Sequence, residues 1–359
     1  MNRAIKKEEV TLETKMFRMK LFNENPSVDR SEATIILSDC DGIVDQKSSS
    51  LNWAYNLFDA MRGNDWGPEE VSTDSHDDYL AMSEDKRFGY DRVLSSLIFN
   101  DSAQTRNLGH NMIPFITESN TIQCMTRQQY EEALHTKSYE VIIDDTVMDV
   151  DRLYSLYKND EKLMERNKFL ERMYHPLDYR SDDDVTVEMF LAAAIANNIL
   201  EAIMFYGGFI FLWSIDKDMP GTSKMIEFIA RDERMHVLLF SQAINTILRT
   251  FPNLDKDRVQ YIAESLVRDA VELEIDWMFY ITKGKMAGFN NESVSNYFMS
   301  KANEMIEGMG LVPFYEKVSR SPLYDIEALH RDPNKTRTNF FEKRAATYTA
   351  KKLKEDGYL

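Results

Sequence analysis

The chain has 359 residues, with 43 Lys and Arg against 60 Asp and Glu, a formal net charge of −17. So acidic a chain lacks the cationic footprint that displaces counterions from nucleic-acid phosphates, and anionic membrane surfaces repel it. Only 13 Gly and 9 Pro, alongside 20 Met, predict long helices.

Length alone suggests two or three domains, but the repeated pattern described below argues for one large core. Two cysteines, Cys40 and Cys124, are too few for a disulfide framework or a Cys-rich zinc site and fit a reducing cytoplasm. The charged start, Met1 to Glu8, has no apolar h-region, so no signal peptide is expected.

Residues 1–50 are mixed and turn-rich (Asn23-Glu24-Asn25-Pro26, Asp39-Cys40-Asp41-Gly42) and read as an N-terminal arm over the surface. A helical domain is expected over 51–325. Trp66-Gly67-Pro68-Glu69-Glu70 is a break followed by a helix-start signal. Helices are predicted near 84–108, 126–145, 150–173, 183–215, 223–250, 256–285 and 291–308. Thr126 with Gln129 three residues on forms a capping-box pattern for the second of these. Met189 to Ile215 is apolar enough to resemble a membrane span, but it carries Asn197, Asn198 and Glu201. A carboxylate at the centre of a span costs about 2.5–3.5 kcal/mol, so the segment reads as a helix buried in a soluble core. Residues 330–359 hold eight Lys or Arg against four Asp or Glu, with little apolar periodicity. A flexible C-terminal tail is expected over 326–359.

The chemistry lies where acidic residues interrupt apolar stripes. One face of the helix near 223–250 reads Ile226, Ile229, Glu233, His236, Phe240, Ala243, Ile247. Glu233 and His236 stand three apart in the middle of that stripe. A buried carboxylate is costly unless paired or metal-bound. A second helix repeats the arrangement with Glu132, His135, Tyr139 and Ile142, placing a tyrosine one turn after the histidine. Two further apolar faces carry a lone carboxylate: Leu94, Leu97, Asp101, Thr105, and Ala194, Asn198, Glu201, Phe205, Leu212. The separation is 31 from Asp101 to Glu132 and 32 from Glu201 to Glu233. One half-unit, a carboxylate helix followed by a Glu-x-x-His helix, therefore occurs twice. That is the ligand set of a di-metal carboxylate four-helix bundle. Carboxylates are hard donors that bridge two cations, and each imidazole adds one borderline nitrogen. Iron and manganese both suit such a site.

Chance alone supplies about one carboxylate-x-x-His pair at this composition, and a third one exists at Glu327-Ala328-Leu329-His330. Its upstream counterpart is Asn296, not a carboxylate, so it reads as the chance occurrence. His76, His110 and His175 read as ordinary surface or turn histidines.

The set resembles the small, radical-generating subunit of class I ribonucleotide reductase, from about Trp53 to the C-terminus. The matching segments are Trp66–Val71, Ile98–Ser102, Glu131–Tyr139, Leu200–Tyr206, Ala230–His236 and Asn339–Tyr348. The resemblance implies an all-α, ferritin-like helical bundle with two metal ions on Asp101, Glu132, His135, Glu201, Glu233 and His236. Iron is the first expectation, with manganese or a mixed pair the alternatives. It implies that oxygen reacts at this centre and that Tyr139 is oxidised to a stable radical amid Phe205, Phe209 and Ile229. Trp66 and Asp232 match a radical relay, and Tyr348 matches a tail tyrosine that hands the radical on. A homodimer and a large catalytic subunit, docked through the C-terminal tail, are the implied partners. Residues 351–359 are more basic than the acidic tails of some members. Two rivals remain open: a ligand-binding oxidase or hydroxylase component, and an iron store. The first is associated with Glu rather than Asp at the first ligand position, and the second with a chain roughly half as long.

Overall fold

The computed structural model describes residues 5–178 and 184–331. Residues 5–51 form no helix beyond the single 3-10 turns Lys7–Glu9 and Arg30–Glu32. The arm is nonetheless fastened down. Val10, Leu12, Met16, Ile35, Ile36 and Leu37 are buried, and isolated bridges join Lys15 to Thr186 and Ile36 to Ile116. Among the described residues no strand forms beyond these two pairs.

Helix α1 (Asn52–Gly63) buries Ala54, Leu57, Ala60 and Met61, one helical face. The Trp66–Glu70 break resolves into a 3-10 turn, Pro68–Glu70, with Glu70 accepting from the Gly67 amide. A short α2 (His76–Ala81) is capped reciprocally by Ser75 and Asp78. Helix α3 (Glu84–Asn107) is capped by Ser83. Helix α4 (Ser119–Thr146) begins earlier than the expected start at Thr126, because the Glu118 carboxylate accepts from the amides of Asn120 and Thr121. The Thr126 hydroxyl instead bonds back to the Ile122 carbonyl, a mid-helix habit of threonine.

The single helix expected over 150–173 is two, α5 (Val150–Asn159) and α6 (Glu161–Asp178). Asp160 breaks it by accepting from the Lys162 and Leu163 amides while holding Arg92 and the Tyr280 hydroxyl. Helix α7 (Val187–Ile199) passes through a π-helical turn, Leu200–Met204, into α8 (Phe205–Ser214). The run Val187–Ser214 is long and apolar enough to cross a membrane, yet 89% of its most apolar window is buried inside the bundle. Helix α9 (Pro220–Thr250) takes its cap from a distant residue, since Asp74 accepts from the amides of Gly221 and Thr222. Gly221 is required there: a Cβ would lie 2.5 Å from the Ser72 carbonyl oxygen. The chain continues through α10 (Lys256–Thr282), α11 (Asn291–Gly308) and α12 (Leu323–Leu329).

Helices α3, α4, α7–α8 and α9 make the central bundle. α3 packs on α4 and α8, α4 on α9, and α9 on α7 and α8. α1 covers α4, while α10 and α11 cover the other side. Part of the expected tail is folded. In α12 Glu327 is buried against Lys301 and the Tyr297 hydroxyl at 2.9 and 2.7 Å, and His330 stacks on Trp213. Tyr348 and the remainder of the tail lie outside the described residues.

Candidate metal centre

The six expected ligands converge. Asp101 comes from α3, Glu132 and His135 from α4, Glu201 from the π-turn, and Glu233 and His236 from α9; each is fully buried. Their donor atoms fall into two groups, each within 4.8 Å: Asp101, Glu132, His135, Glu233, and Glu132, Glu201, Glu233, His236. Glu132 and Glu233 belong to both groups, the position of bridging carboxylates.

Both histidines present Nδ1 to the cluster. His135 Nδ1 lies 3.2 Å from Asp101 Oδ1 and 3.0 Å from Glu233 Oε1. His236 Nδ1 lies 2.6 Å from Glu233 Oε2, 3.3 Å from Glu132 Oε1 and 3.7 Å from Glu201 Oε2. Their Nε2 atoms point outward to carboxylates, Asp232 at 3.5 Å and Glu131 at 2.9 Å.

The residues fit two cations. Asp101 Oδ2, Glu132 Oε2 and Glu201 Oε2 are buried with no hydrogen-bond partner, a costly state for a carboxylate unless a cation is its partner. Four carboxylates balance two divalent ions. Without them, protons take their place: burial pushes the Asp101 carboxyl up to about 6. Burial and then neighbouring carboxylates push Glu132 and Glu201 well above the usual range. Burial opposes a charge on Glu233, but His236 and His135 hold its carboxyl low. Burial likewise opposes the charged histidines, yet the surrounding carboxylates raise both. Cations and protons thus compete for the same oxygens.

Several residues at the centre escaped the sequence reading. Gln104 and Gln128 donate to Glu201 Oε1, the latter at 2.8 Å, and Gln128 also donates to Glu132 Oε1 at 3.0 Å. The Tyr174 hydroxyl donates to Gln104 Oε1 at 3.0 Å. One Glu201 oxygen is therefore fixed by amides and the other left for a cation. Gln104 follows Asp101 by three residues and Gln128 precedes Glu132 by four, so both share a ligand face; that spacing was the available signal. Glu131 had one too, since an acid stands immediately before the glutamate of each Glu-x-x-His pair, as Asp232 does before Glu233.

Behind the π-turn sits a buried ion pair. Arg166 donates through Nε to Glu274 Oε1 at 2.9 Å, through Nη1 to Ser96, and through Nη2 to the Met204 carbonyl at 3.3 Å. Its guanidinium lies 4.6 Å from the Trp277 ring centroid. A π-turn displaces backbone hydrogen bonds, and Arg166 meets a carbonyl of this one.

Tyr139 is fully buried one turn past His135, and its hydroxyl makes no hydrogen bond. Burial, followed by the charges of Asp101, Glu233 and Glu132, raises its phenol well above the ordinary value. Phe205, Phe209 and Ile229 are fully buried in the same core, the two phenylalanines stacked with centroids 5.8 Å apart. Trp66 Nε1 donates to Asp232 Oδ2 at 2.6 Å, and the indole stacks on Phe228. Burial opposes ionisation of Asp232, but Arg231, His135 and Trp66 keep its carboxyl low. Arg231 Nε is 3.3 Å from Asp232 Oδ1, so the ion pair and the bridge to Trp66 coexist. The structure leaves Glu327 and His330 outside the cluster, with His330 Nδ1 2.8 Å from Glu227. His76 bonds the Thr146 carbonyl, and His110 and His175 are exposed.

Residues 46–322 match the family model described as ribonucleotide reductase, small chain. The chain is 32% identical to the ribonucleoside-diphosphate reductase subunit beta of Treponema pallidum, over 92% of this chain and 95% of that one. It is 30% identical to the subunit beta of Halalkalibacterium halodurans, over 88% and 94%. The ribonucleotide reductase R2 subunit from Clostridium botulinum superposes with a TM-score of 0.83 at 27% identity, covering 89% of this chain and all of that one. With its helical fold and paired carboxylate–histidine cluster, the chain belongs to the ribonucleotide reductase small-chain family.

Proposed function

We propose that this small subunit of ribonucleoside-diphosphate reductase holds two metal ions on Asp101, Glu132, His135, Glu201, Glu233 and His236, and stores a radical on Tyr139. The radical equivalent then passes through Asp232 and Trp66, and through Tyr348 of the tail, to the large subunit with which the family works. Reduction of the ribonucleotide happens there. The carrying observation is Tyr139 itself: a fully buried phenol without a hydrogen bond, one turn from a ligand histidine.

Two redox-active ions, iron first and manganese or a mixed pair as alternatives, supply with oxygen the oxidising power needed to take an electron from a phenol. The rest is done by this chain's residues. Tyr139 loses an electron and its hydroxyl proton, and Asp101, the carboxylate whose charge weighs most on that phenol, is the acceptor for the proton. Phe205, Phe209 and Ile229 exclude water and reductants from the phenoxyl. Asp232 remains ionised beside the indole N–H, so its negative charge favours electron loss from Trp66 while holding the proton in place.

The active species is a homodimer in the cytoplasm, docked to the large subunit through the C-terminal tail. Asp101 at the first ligand position and the family match favour this reading over a ligand-binding oxidase or an iron store. Metal analysis with electron paramagnetic resonance after reconstitution in air tests it: two ions per chain and a tyrosyl signal are expected, and one ion per chain or a large iron core contradicts it.

A further inference from the structure

The acids that precede Glu132 and Glu233, the glutamates of the two Glu-x-x-His pairs, do not face the ions. Neighbouring side chains on a helix point about 100° apart, and each of these acids crosses to the histidine of the other helix. Asp232 of α9 reaches His135 of α4, and Glu131 of α4 reaches His236 of α9, the latter more closely, at 3.5 and 2.9 Å. Glu131 is itself buried, and its Oε1 accepts from Arg127 Nε at 2.8 Å. Arg127 Nη2 then pairs with Asp65 Oδ1 at 2.7 Å, a side chain 73% exposed. The Asp232 arm ends next door: Trp66 donates to Asp232, and Arg231, paired with Asp232, donates to the Asn64 carbonyl. Three consecutive residues, Asn64, Asp65 and Trp66, thus receive both arms.

We propose that Glu131 is the positioning residue of the metal site built on Glu201 and His236, with Arg127 and Asp65 as its outer support. The inference rests on the reading that this cluster holds two ions. The His236 Nε2–H donates to Glu131, which fixes the tautomer that leaves Nδ1 bare toward Glu132, Glu201 and Glu233. A carboxylate in this position also strengthens the imidazole as a donor, and losing such a partner typically costs about 10–100-fold in metal affinity. Arg127 bonds one Glu131 oxygen and leaves the other for His236. The two sites are therefore separately supported, one through Asp232 and one through Glu131.

The test is a manganese(II) titration of the metal-free, full-length protein, followed by equilibrium dialysis and electron paramagnetic resonance. Wild type takes two ions per chain; if it does not, the reading of the centre fails before Glu131 is at issue. In Glu131→Gln one ion binds as in wild type and the other about 10–100-fold more weakly, so at two equivalents the spectrum keeps an isolated-ion component. Anomalous scattering from crystals of that variant places the depleted position beside Glu201 and His236. Asp232→Asn depletes the position beside Asp101 and His135 instead. Asp65→Asn, a change at an exposed loop side chain, weakens the same site as Glu131→Gln by a smaller factor. Two ions bound by Glu131→Gln with wild-type affinities, or both weakened equally, would overturn the assignment.

Discussion

Replacing Glu274 by Gln changes how stability depends on pH, through a group that touches none of the six ligands. Glu274 is fully buried, and one of its oxygens, Oε2, has no hydrogen-bond partner. Burial pushes its carboxyl up to about 7 from 4.5, with Arg166 pulling it partly back. Below pH 4.5 the carboxyl is protonated in both folded and unfolded chains and carries no penalty. Between 4.5 and 7 the unfolded chain releases this proton while the folded chain keeps it, so the unfolded state gains and stability is lost as pH rises. At about 1.4 kcal/mol per pH unit, the loss totals roughly 3 kcal/mol by pH 8. Gln cannot titrate. The unfolding free energy of wild type minus that of Glu274→Gln, measured by urea denaturation of the metal-free proteins from pH 5 to 8, should therefore fall by most of that amount. The ligand carboxylates titrate in both proteins and cancel. Parallel pH profiles would refute the argument and mean that Arg166 keeps Glu274 ionised throughout.

Metal loading should raise the unfolding free energy by about 2.7 kcal/mol for each site held at a hundredfold excess over its dissociation constant, read as a rise in melting temperature that chelation reverses. Phe209→Ala should cost about 3–5 kcal/mol by emptying volume in the buried core and, since Phe209 is one of the residues proposed to exclude water from the phenoxyl, shorten the lifetime of the radical signal, measured as its decay at fixed temperature. Tyr348→Phe should leave the metals, the Tyr139 signal and binding of the large subunit unchanged yet abolish turnover, because Phe keeps the ring but has no phenolic proton to lose. Lost binding would recast Tyr348 as a docking residue.

The centre was legible because its chemistry contradicts its surroundings. Glu233 and His236 interrupt an apolar stripe, the same insult recurs at Glu132 and His135, and nearly equal spacings, 31 and 32 residues, link each pair to its upstream carboxylate. Helix limits were less legible for reasons of cap chemistry. Glu118 is not a favoured N-cap residue, yet it starts α4 with both oxygens. Asp160 breaks a run whose periodicity continues on either side. The π-turn at Leu200–Met204 shifts the register by one residue, too little to disturb a stripe that is apolar all round. Glu131 was not singled out from the sequence because its role depends on Arg127 and on a histidine from another helix. Residues 326–331 read as tail because the partners of Glu327 and His330, Lys301 and Glu227, are remote in sequence.

The central claim is that Tyr139 carries the oxidising equivalent. Tyr139→Phe, loaded with metal and exposed to oxygen, is compared with wild type by electron paramagnetic resonance and by turnover with the large subunit. The account predicts two ions per chain in both proteins, a tyrosyl signal in wild type alone, and loss of most reductase activity in the variant. Full turnover by Tyr139→Phe would contradict it and locate the stored oxidant on the metal ions.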